Sequence, residues 1–225
     1  MNNKSDRTIR RDDHETYTEL ASVVQEMDDS VDAGHSKEGV IVAAALELAD
    51  PVEVGGDVLE VGFGSGLNIP HYPASVHELT AIDPNPGMRR YAELRITASP
   101  IKVERCVLSG ESLPMADASF DTVVCTWTLC SIENVEQALA EIHRVLKLGG
   151  RFVFLEHGLS NEPEVQRWQH WLNPIQKVIG DGCNLNRDIR ALVENVGFSS
   201  LEMENFSLEK TPRLVGYMYC GVAVK

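Results

Sequence analysis

No stretch of this 225-residue chain reaches the roughly 18 apolar positions that a membrane-spanning helix needs. The opening residues, MNNKSDRTIRRDDHE, are polar and hold no apolar core of the kind a secretory leader requires. Cysteine is sparse. The five residues, at 106, 125, 130, 183 and 220, are odd in number and form no C-x-x-C pair. That spacing argues against a disulfide framework and against a zinc cluster, so a cytoplasmic protein without bound metal is expected. Positive charge is also scarce, with 20 Lys and Arg against 34 Asp and Glu and a net charge of −14. A surface this acidic repels phosphates, which argues against nucleic acid as a partner and makes contact with an anionic membrane unfavourable. The surplus is concentrated early: residues 1–60 carry fifteen acidic side chains against five basic ones. The chain has no internal repeat and no low-complexity linker, and its length suits one domain with a substantial core.

What is present is organised around VLEVGFGSG at 58–66. Val58, Leu59 and Val61 form a short apolar run suited to a buried parallel strand. Gly62, Gly64 and Gly66 follow at alternate positions, which allows a sharp turn and close backbone approach to a ligand. Such a turn at the carboxyl edge of a parallel sheet is where doubly wound folds bind nucleotides. The spacing discriminates between ligands. Leu67 stands where a dinucleotide fingerprint needs its third glycine, and no lysine follows Gly66 as a P-loop requires. The remaining pattern, Glu60-x-Gly-x-Gly-x-Gly, resembles the first motif of the class I S-adenosylmethionine (SAM) methyltransferases.

Residues 1–38 read as a polar extension, with a helix expected over 16–27 and another over 37–49 ahead of the first strand. LNIPHYP (67–73) has room for one helical turn at most, because Pro70 and Pro73 interrupt it. ELTAIDP (78–84) is a second strand ending at Asp83, and PNPGMRRYAEL (84–94) a turn and helix. IKVERCVLSG (101–110) is a third strand, and DTVVCTWTLCSI (121–132), nearly all apolar or β-branched, a central fourth. ENVEQALAEIHRVLKLGG (133–150) is the clearest helix, with Val135, Leu139, Ile142, Val145 and Leu146 on one face and Gly149-Gly150 as its stop. RFVFLEHG (151–158) is strand five. The alternation of strands and helices predicts an α/β, Rossmann-like doubly wound sheet with helices on both faces. Residues 164–180 form an amphipathic helix that Pro174 is expected to break or kink, and 185–198 a helix opened by Asn186. The last two segments, 201–208 and 213–225, alternate like strands that pair with each other.

The run SGESLPMADASFDTVVCTWTLCSI…ALAEIHRVLKLGGRFVFLEHG resembles the type 11 group of class I SAM methyltransferases over about residues 40–157. CTWTLCSI (125–132), LEHG (155–158), RWQHWLNP (167–174) and GDGCNLNRDI (180–189) are similar to the methyltransferase-like seven group and its bacterial relatives. The resemblance implies a seven-stranded sheet, mostly parallel with an antiparallel last strand. It divides residues 39–225 into a cofactor-binding core (39–158), a substrate-side lid (159–187) and a C-terminal helix and strand pair (188–225). It implies methyl transfer from SAM, with S-adenosylhomocysteine as product, to a small, partly apolar acceptor, a thiol being favoured. A lipid or quinone acceptor is the alternative, and a SAM-binding, non-catalytic protein a further one. The animal members carry an N-terminal hydrophobic anchor that this stretch lacks, which counts against a membrane-resident substrate. The oligomeric state is not legible.

By position, Glu60, Gly62, Phe63, Gly64, Ser65 and Gly66 correspond to the turn around the methionine portion of the cofactor. Asp83 corresponds to the ribose ligand, with Pro84 and Met88 beside it. The alternative for Asp83 is a turn-former or helix cap ahead of Pro84. Gly110, Glu111 and Ser112 correspond to the adenine loop, although Ser109 stands where an acid is usual. Thr126 completes the cofactor set. On the acceptor side the candidates are Trp127, Cys130, Trp168, Trp171 and Cys183, with His157 as general base because its ordinary pKa is about 6.5. Each has a second reading: Trp127 as core filler, Trp168 and Trp171 as core packing, and His157 as a residue that bonds a backbone group and fixes its turn. For Cys183 the second reading is a loop in which Asn186 caps a helix and Arg187 pairs with a carboxylate. Cys125 is expected to be inert and buried.

Overall fold

The computed structural model describes residues 54–208 and 211–225. The helices expected over 16–27 and 37–49, and the polar extension 1–38, lie outside the described residues. Seven strands form one sheet in the order β3-β2-β1-β4-β5-β7-β6. They are β1 (Val58–Val61), β2 (Glu78–Ile82), β3 (Lys102–Cys106), β4 (Phe120–Thr126), β5 (Leu146–His157), β6 (Ser200–Ser207) and β7 (Tyr217–Val224). The first five pair in parallel, and β7 runs antiparallel to both β5 and β6. This is the seven-stranded, doubly wound architecture that the sequence implied, including its final strand pair.

The central strands are mostly apolar because helices and loops cover both faces of the sheet, with Glu60 of β1 and Glu156 of β5 as buried exceptions. Along β4, Val124 packs into one apolar layer with Val58, Leu79, Val153 and Leu155. Its neighbours Val123 and Cys125 point the other way, into a layer with Leu59, Val61, Phe152 and Phe154. Between β2 and β3 runs α1 (Arg89–Ala98). Between β4 and β5 runs α2 (Val135–Val145), which buries Val135, Ala138, Leu139, Ile142 and Val145. That spacing is one helical face, and Leu139 and Ile142, with no exposure, each contribute about 1.5–3 kcal/mol through burial. After β5 come α3 (Pro163–Ile179) and the short α4 (Ile189–Glu194).

Four local expectations are corrected. Strand four stops at Thr126 rather than at 132, because Trp127 takes a left-handed backbone (φ 48°). Helix α2 ends at Val145, and Gly149-Gly150 do not stop it. They sit in a bulge of β5, where Phe120 faces Leu146 and the register resumes at Thr122 and Arg151. Pro174 does not end α3, which runs on to Ile179. The preceding Asn173 is fixed by its side chain, which accepts from the Leu185 amide (2.7 Å), so tertiary contacts hold this turn where one backbone hydrogen bond is lost. Helix α4 begins two residues later than Asn186 would set it, because Asp188 is its cap and accepts from the Ala191 amide (3.0 Å).

The order of the strands reverses direction between β1 and β4. At such a switch point the loops leaving the two strands diverge and open a crevice beyond their carboxyl ends. The glycine turn and the turn after β4 flank that crevice.

Candidate active site

The glycine turn owes its shape to backbone conformations that favour glycine. Gly62 has φ 82°, and a Cβ there would fall 1.8 Å from Thr128 Oγ1. Glycine is therefore what lets the end of β1 pack directly on the turn after β4. Gly64 has φ 52° and nothing within 4 Å of where a Cβ would lie, so its backbone borders open space. Phe63 is buried beneath the turn, and Arg95 of α1 donates to the Ser65 carbonyl (2.9 Å). Asp83, 8 % exposed, closes the turn from the end of β2. Its Oδ2 accepts from the Gly64 amide (2.7 Å) and its Oδ1 from the Asn85 amide (2.7 Å). Each oxygen keeps a second lone pair. Asp83 thus does form the turn before the Pro86–Met88 3-10 segment, and its position beside Gly64 leaves it able to take a ligand as well. Pro84 and Met88 are exposed next to it.

Glu60 lies deeper, at 1 % exposure. Its Oε1 accepts from Asn68 Nδ2 (2.8 Å) and its Oε2 from the Tyr72 hydroxyl (2.8 Å). Asn68 Nδ2 also reaches Thr126 Oγ1 at 3.0 Å. Burial pushes the Glu60 carboxyl up to about 8 against these two donors. The same burial, with Glu60 beside it, raises Tyr72 well above its ordinary value. Glu60 therefore ties the 3-10 segment Ile69–His71 and the end of β4 to the floor of the glycine turn. Asn68 and Tyr72 were missed from the sequence. The signal was available in principle, since an acid buried at the end of a strand needs donors nearby.

The loop after β3 lies against the same edge. A Cβ on Gly110 would stand 3.0 Å from Val61 Cγ1. Glu111 Oε1 accepts from the Asn134 amide (2.7 Å) at the start of α2, and the Glu111 amide donates to Ser109 Oγ (3.2 Å). Ser112 N lies 3.5 Å from the Ser109 carbonyl. Ser109, in place of the usual acid, serves here as the hinge pin of the loop.

The candidate residues for an acceptor side come from three separate parts of the chain. Glu156, fully buried at the end of β5, caps the turn after β4: Oε1 accepts from the Thr128 (2.8 Å) and Leu129 (2.9 Å) amides, and Oε2 from Cys130 N (3.4 Å). Burial pushes Glu156 up to about 7 despite those amides. Arg187, beyond α3, reaches back to the carbonyls of Leu129 and Ile132. Asn184 donates to the Cys130 carbonyl from both its backbone (2.8 Å) and its side chain (2.9 Å). These bonds bring Cys183 to Cys130 and His157, and the three donor atoms lie within 4.8 Å of one another. His157 Nε2 is 3.0 Å from Cys183 Sγ, and its Nδ1 is buried with no partner among the described residues.

His157 therefore faces a cysteine, and among the described residues its two ring nitrogens make no bond to a backbone group. Arg187 binds carbonyls rather than a carboxylate, and the Asn186 side chain pairs with His170 (2.9 Å) rather than capping a helix. The charges follow from this packing. The Cys183 thiol is pushed well below its ordinary value, first by the Cys130 hydrogen bond and then, against burial, by His157. For Cys130 the same contact and its burial act upward. For His157, burial favours the neutral ring, but the Cys183 sulfur and Glu156 outweigh it and leave the ring above its ordinary pKa. Cys125 is buried in the core, as expected.

Trp127 packs against the core, its indole N–H buried without a partner. Trp168 and Trp171 are 57 % and 67 % exposed, their rings edge to face at 5.5 Å, so neither is core packing. The amphipathic face read from α3 lies mostly outward, because its inner position belongs to Gln169. That side chain accepts from the Ser160 amide (2.9 Å) and donates to the Gly158 (3.0 Å) and Leu214 (2.9 Å) carbonyls.

A model of the methyltransferase domain of the type 11 group matches residues 59–154. The human thiol S-methyltransferase TMT1A is 38% identical over 173 residues, which cover 75% of this chain and 70% of that protein. The ubiquinone/menaquinone biosynthesis C-methyltransferase UbiE of Rubrivivax gelatinosus is 36% identical over 130 residues, covering 58% of this chain and 47% of that protein. Among solved structures, a SAM-dependent methyltransferase of Methanosarcina mazei superposes with a TM-score of 0.63 at 20% identity, covering 80% of this chain and 96% of that one. At that identity the superposition speaks for the fold.

Proposed function

We propose, for a chain that belongs to the SAM-dependent methyltransferases of the type 11 group, that the methyl acceptor is a small, partly apolar thiol. The observation that carries the acceptor class is the 38% identity to the human thiol S-methyltransferase across 70% of that protein. The cofactor side of the reading is supported by the open space at Gly64 and by the free lone pairs of Asp83 beside it. Asp83 is suited to hold the ribose hydroxyls, and the Gly62–Gly66 turn the methionine portion. Gly110, Glu111, Ser112, Pro84 and Met88 would border the adenine, and Thr126, held by Asn68, the methyl-donor end. When bound, SAM supplies an electrophilic methyl group on a sulfonium sulfur.

The chain's own tasks are then orientation and deprotonation. An alkyl thiol with a pKa near that of free cysteine is only about 3% ionised at neutral pH, so a group that takes its proton accelerates the reaction. Cys130, His157 and Cys183, at the carboxyl ends of β4 and β5, are the group proposed for that role, with Trp127 as a wall. A screen of thiols, amines and phenols, read as S-adenosylhomocysteine release, is the test. Thiols are expected to react, and a screen in which only amines or phenols react overturns the reading. His157→Ala is expected to lower kcat while leaving SAM affinity within about twofold, and undiminished turnover removes His157 from the reaction.

One observation favours a second reading, a lipid or quinone acceptor. Trp168, Trp171, Ile175, Val178 and Ile179 form an exposed apolar stripe on α3. Among the described residues no helix is long and apolar enough to cross a membrane. Sedimentation with neutral liposomes separates the two readings: the thiol reading expects the protein to stay in the supernatant.

A further inference from the structure

We propose that Cys130, His157 and Cys183 form a binding site for a thiophilic divalent metal ion, zinc by the character of its ligands. The three residues are 27 and 26 positions apart in the chain, and the fold gathers one donor atom from each into a space of 4.8 Å. Zinc binds thiolate sulfur at about 2.3 Å and imidazole nitrogen at about 2.0–2.1 Å, so ligands of a tetrahedral ion stand roughly 3.3–3.8 Å apart. His157 Nε2 and Cys183 Sγ, at 3.0 Å, need only a small opening to admit the ion. Two sulfurs and one imidazole are a soft set that selects zinc over magnesium or calcium.

The site is preformed. Cys130 is held through its amide by Glu156 and through its carbonyl by Asn184. The Cys183 amide is held by the Gly180 carbonyl (3.0 Å), and Arg187 locks the loop 180–187 onto the turn that carries Cys130. Ligands fixed in this way lose little freedom on binding. The remaining neighbours of Cys130 Sγ, the Trp127 carbonyl (3.7 Å) and Ser131 Oγ (3.5 Å), are weak partners that metal coordination would replace at little cost. Two thiolates neutralise a divalent charge, and the two protons leave to solvent.

Three protein ligands leave a fourth position open, the arrangement of catalytic rather than structural zinc sites. Resting on the thiol acceptor proposed above, but with the ion rather than the three side chains activating it, that position is where the acceptor sulfur would bind. The acceptor S–H bond breaks, its proton goes to solvent, and the sulfur stays on the metal as thiolate. Its lone pair would then form the new carbon–sulfur bond as the methyl–sulfonium bond breaks, and the electron pair of that bond stays on the cofactor's sulfur, leaving S-adenosylhomocysteine. The metal-free protein expected from cysteine spacing gives way, on this proposal, to a site that only the fold assembles.

The test is cobalt(II) substitution of protein reduced with a phosphine, without any thiol or SAM present. One equivalent of cobalt is expected to give thiolate-to-cobalt charge-transfer absorption and intense tetrahedral d–d bands. Cys183→Ser, at a partly buried position, should halve the charge-transfer intensity, and His157→Ala should weaken cobalt affinity at least tenfold. Both variants are checked for an unchanged melting profile. Absent bands, or bands unaltered in a folded Cys183→Ser protein, overturn the site. Addition of ethanethiol to the cobalt protein is expected to raise the charge-transfer band through a third thiolate, and an unaltered band overturns the substrate role. The cobalt readout needs no turnover, so it fails independently of the acceptor screen.

Discussion

Replacing Asp83 by alanine removes a carboxylate that serves two partners at once. In the free protein it accepts from the Gly64 and Asn85 amides, each at 2.7 Å, and it is almost wholly buried. One lone pair on each oxygen remains, and two ribose hydroxyls would use them. Hydrogen bonds to a charged acceptor are worth about 1.5–3 kcal/mol each, so a gross loss of about 3–6 kcal/mol is the upper bound. Water replaces part of that in the variant, and a loss of at least about 1.4 kcal/mol, tenfold in Kd, is the expected minimum. The freed Gly64 and Asn85 amides cost stability as well, about 1–3 kcal/mol if they stay buried. Titration calorimetry with S-adenosylhomocysteine and urea unfolding on the same preparation separate the two effects. A folded Asp83→Ala protein with unchanged affinity would refute the reasoning and leave Asp83 as a turn-former alone.

Three further outcomes are expected. The folded-state pKa of Glu60 is raised from 4.5 to about 8, so its stabilising contribution is fully present below about pH 4.5 and is lost as pH rises through 8. At about 1.4 kcal/mol per pH unit this is about 5 kcal/mol, and denaturant curves at pH 5 and pH 9 should show a smaller loss for Glu60→Gln than for the natural protein. Gly64→Ala meets no neighbouring atom but forces φ 52° on a side-chain residue, so a stability loss of about 1–2 kcal/mol is expected in thermal unfolding. Its methyl group would fill the open space, so calorimetry should also show at least tenfold weaker SAM binding. SAM binding itself should be indifferent to metal, since the glycine turn and Asp83 hold no metal-ligand cluster; a chelator that abolishes the heat of binding would contradict this.

Much of the fold was written in local sequence. Strands β1 and β4 and the second half of β5 show as short apolar runs, and α2 shows as a face repeating every three to four residues, because burial against one layer imposes a period on neighbouring positions. The glycine turn was equally legible, since the positive φ angles at Gly62 and Gly64 are a local backbone requirement, although the close approach of Thr128 to Gly62 was not. Asp83 followed from them by one strand–helix–strand step. Tertiary structure decided what depends on partners distant in sequence. Gln169 displaced an apolar face of α3 from the interior because three backbone groups in two loops needed its amide. Pro174 was tolerated because Leu185 fixes the residue before it. Glu60 acquired Asn68 and Tyr72, and Glu156 the amides of the turn after β4, only once the strands lay side by side. Cysteine spacing along the chain could not announce the meeting of Cys130, His157 and Cys183. Their separation spans α2, β5 and α3 with the loops between them, and the contacts that close it, from Arg187 and Asn184, carry no period and leave no pattern in the sequence.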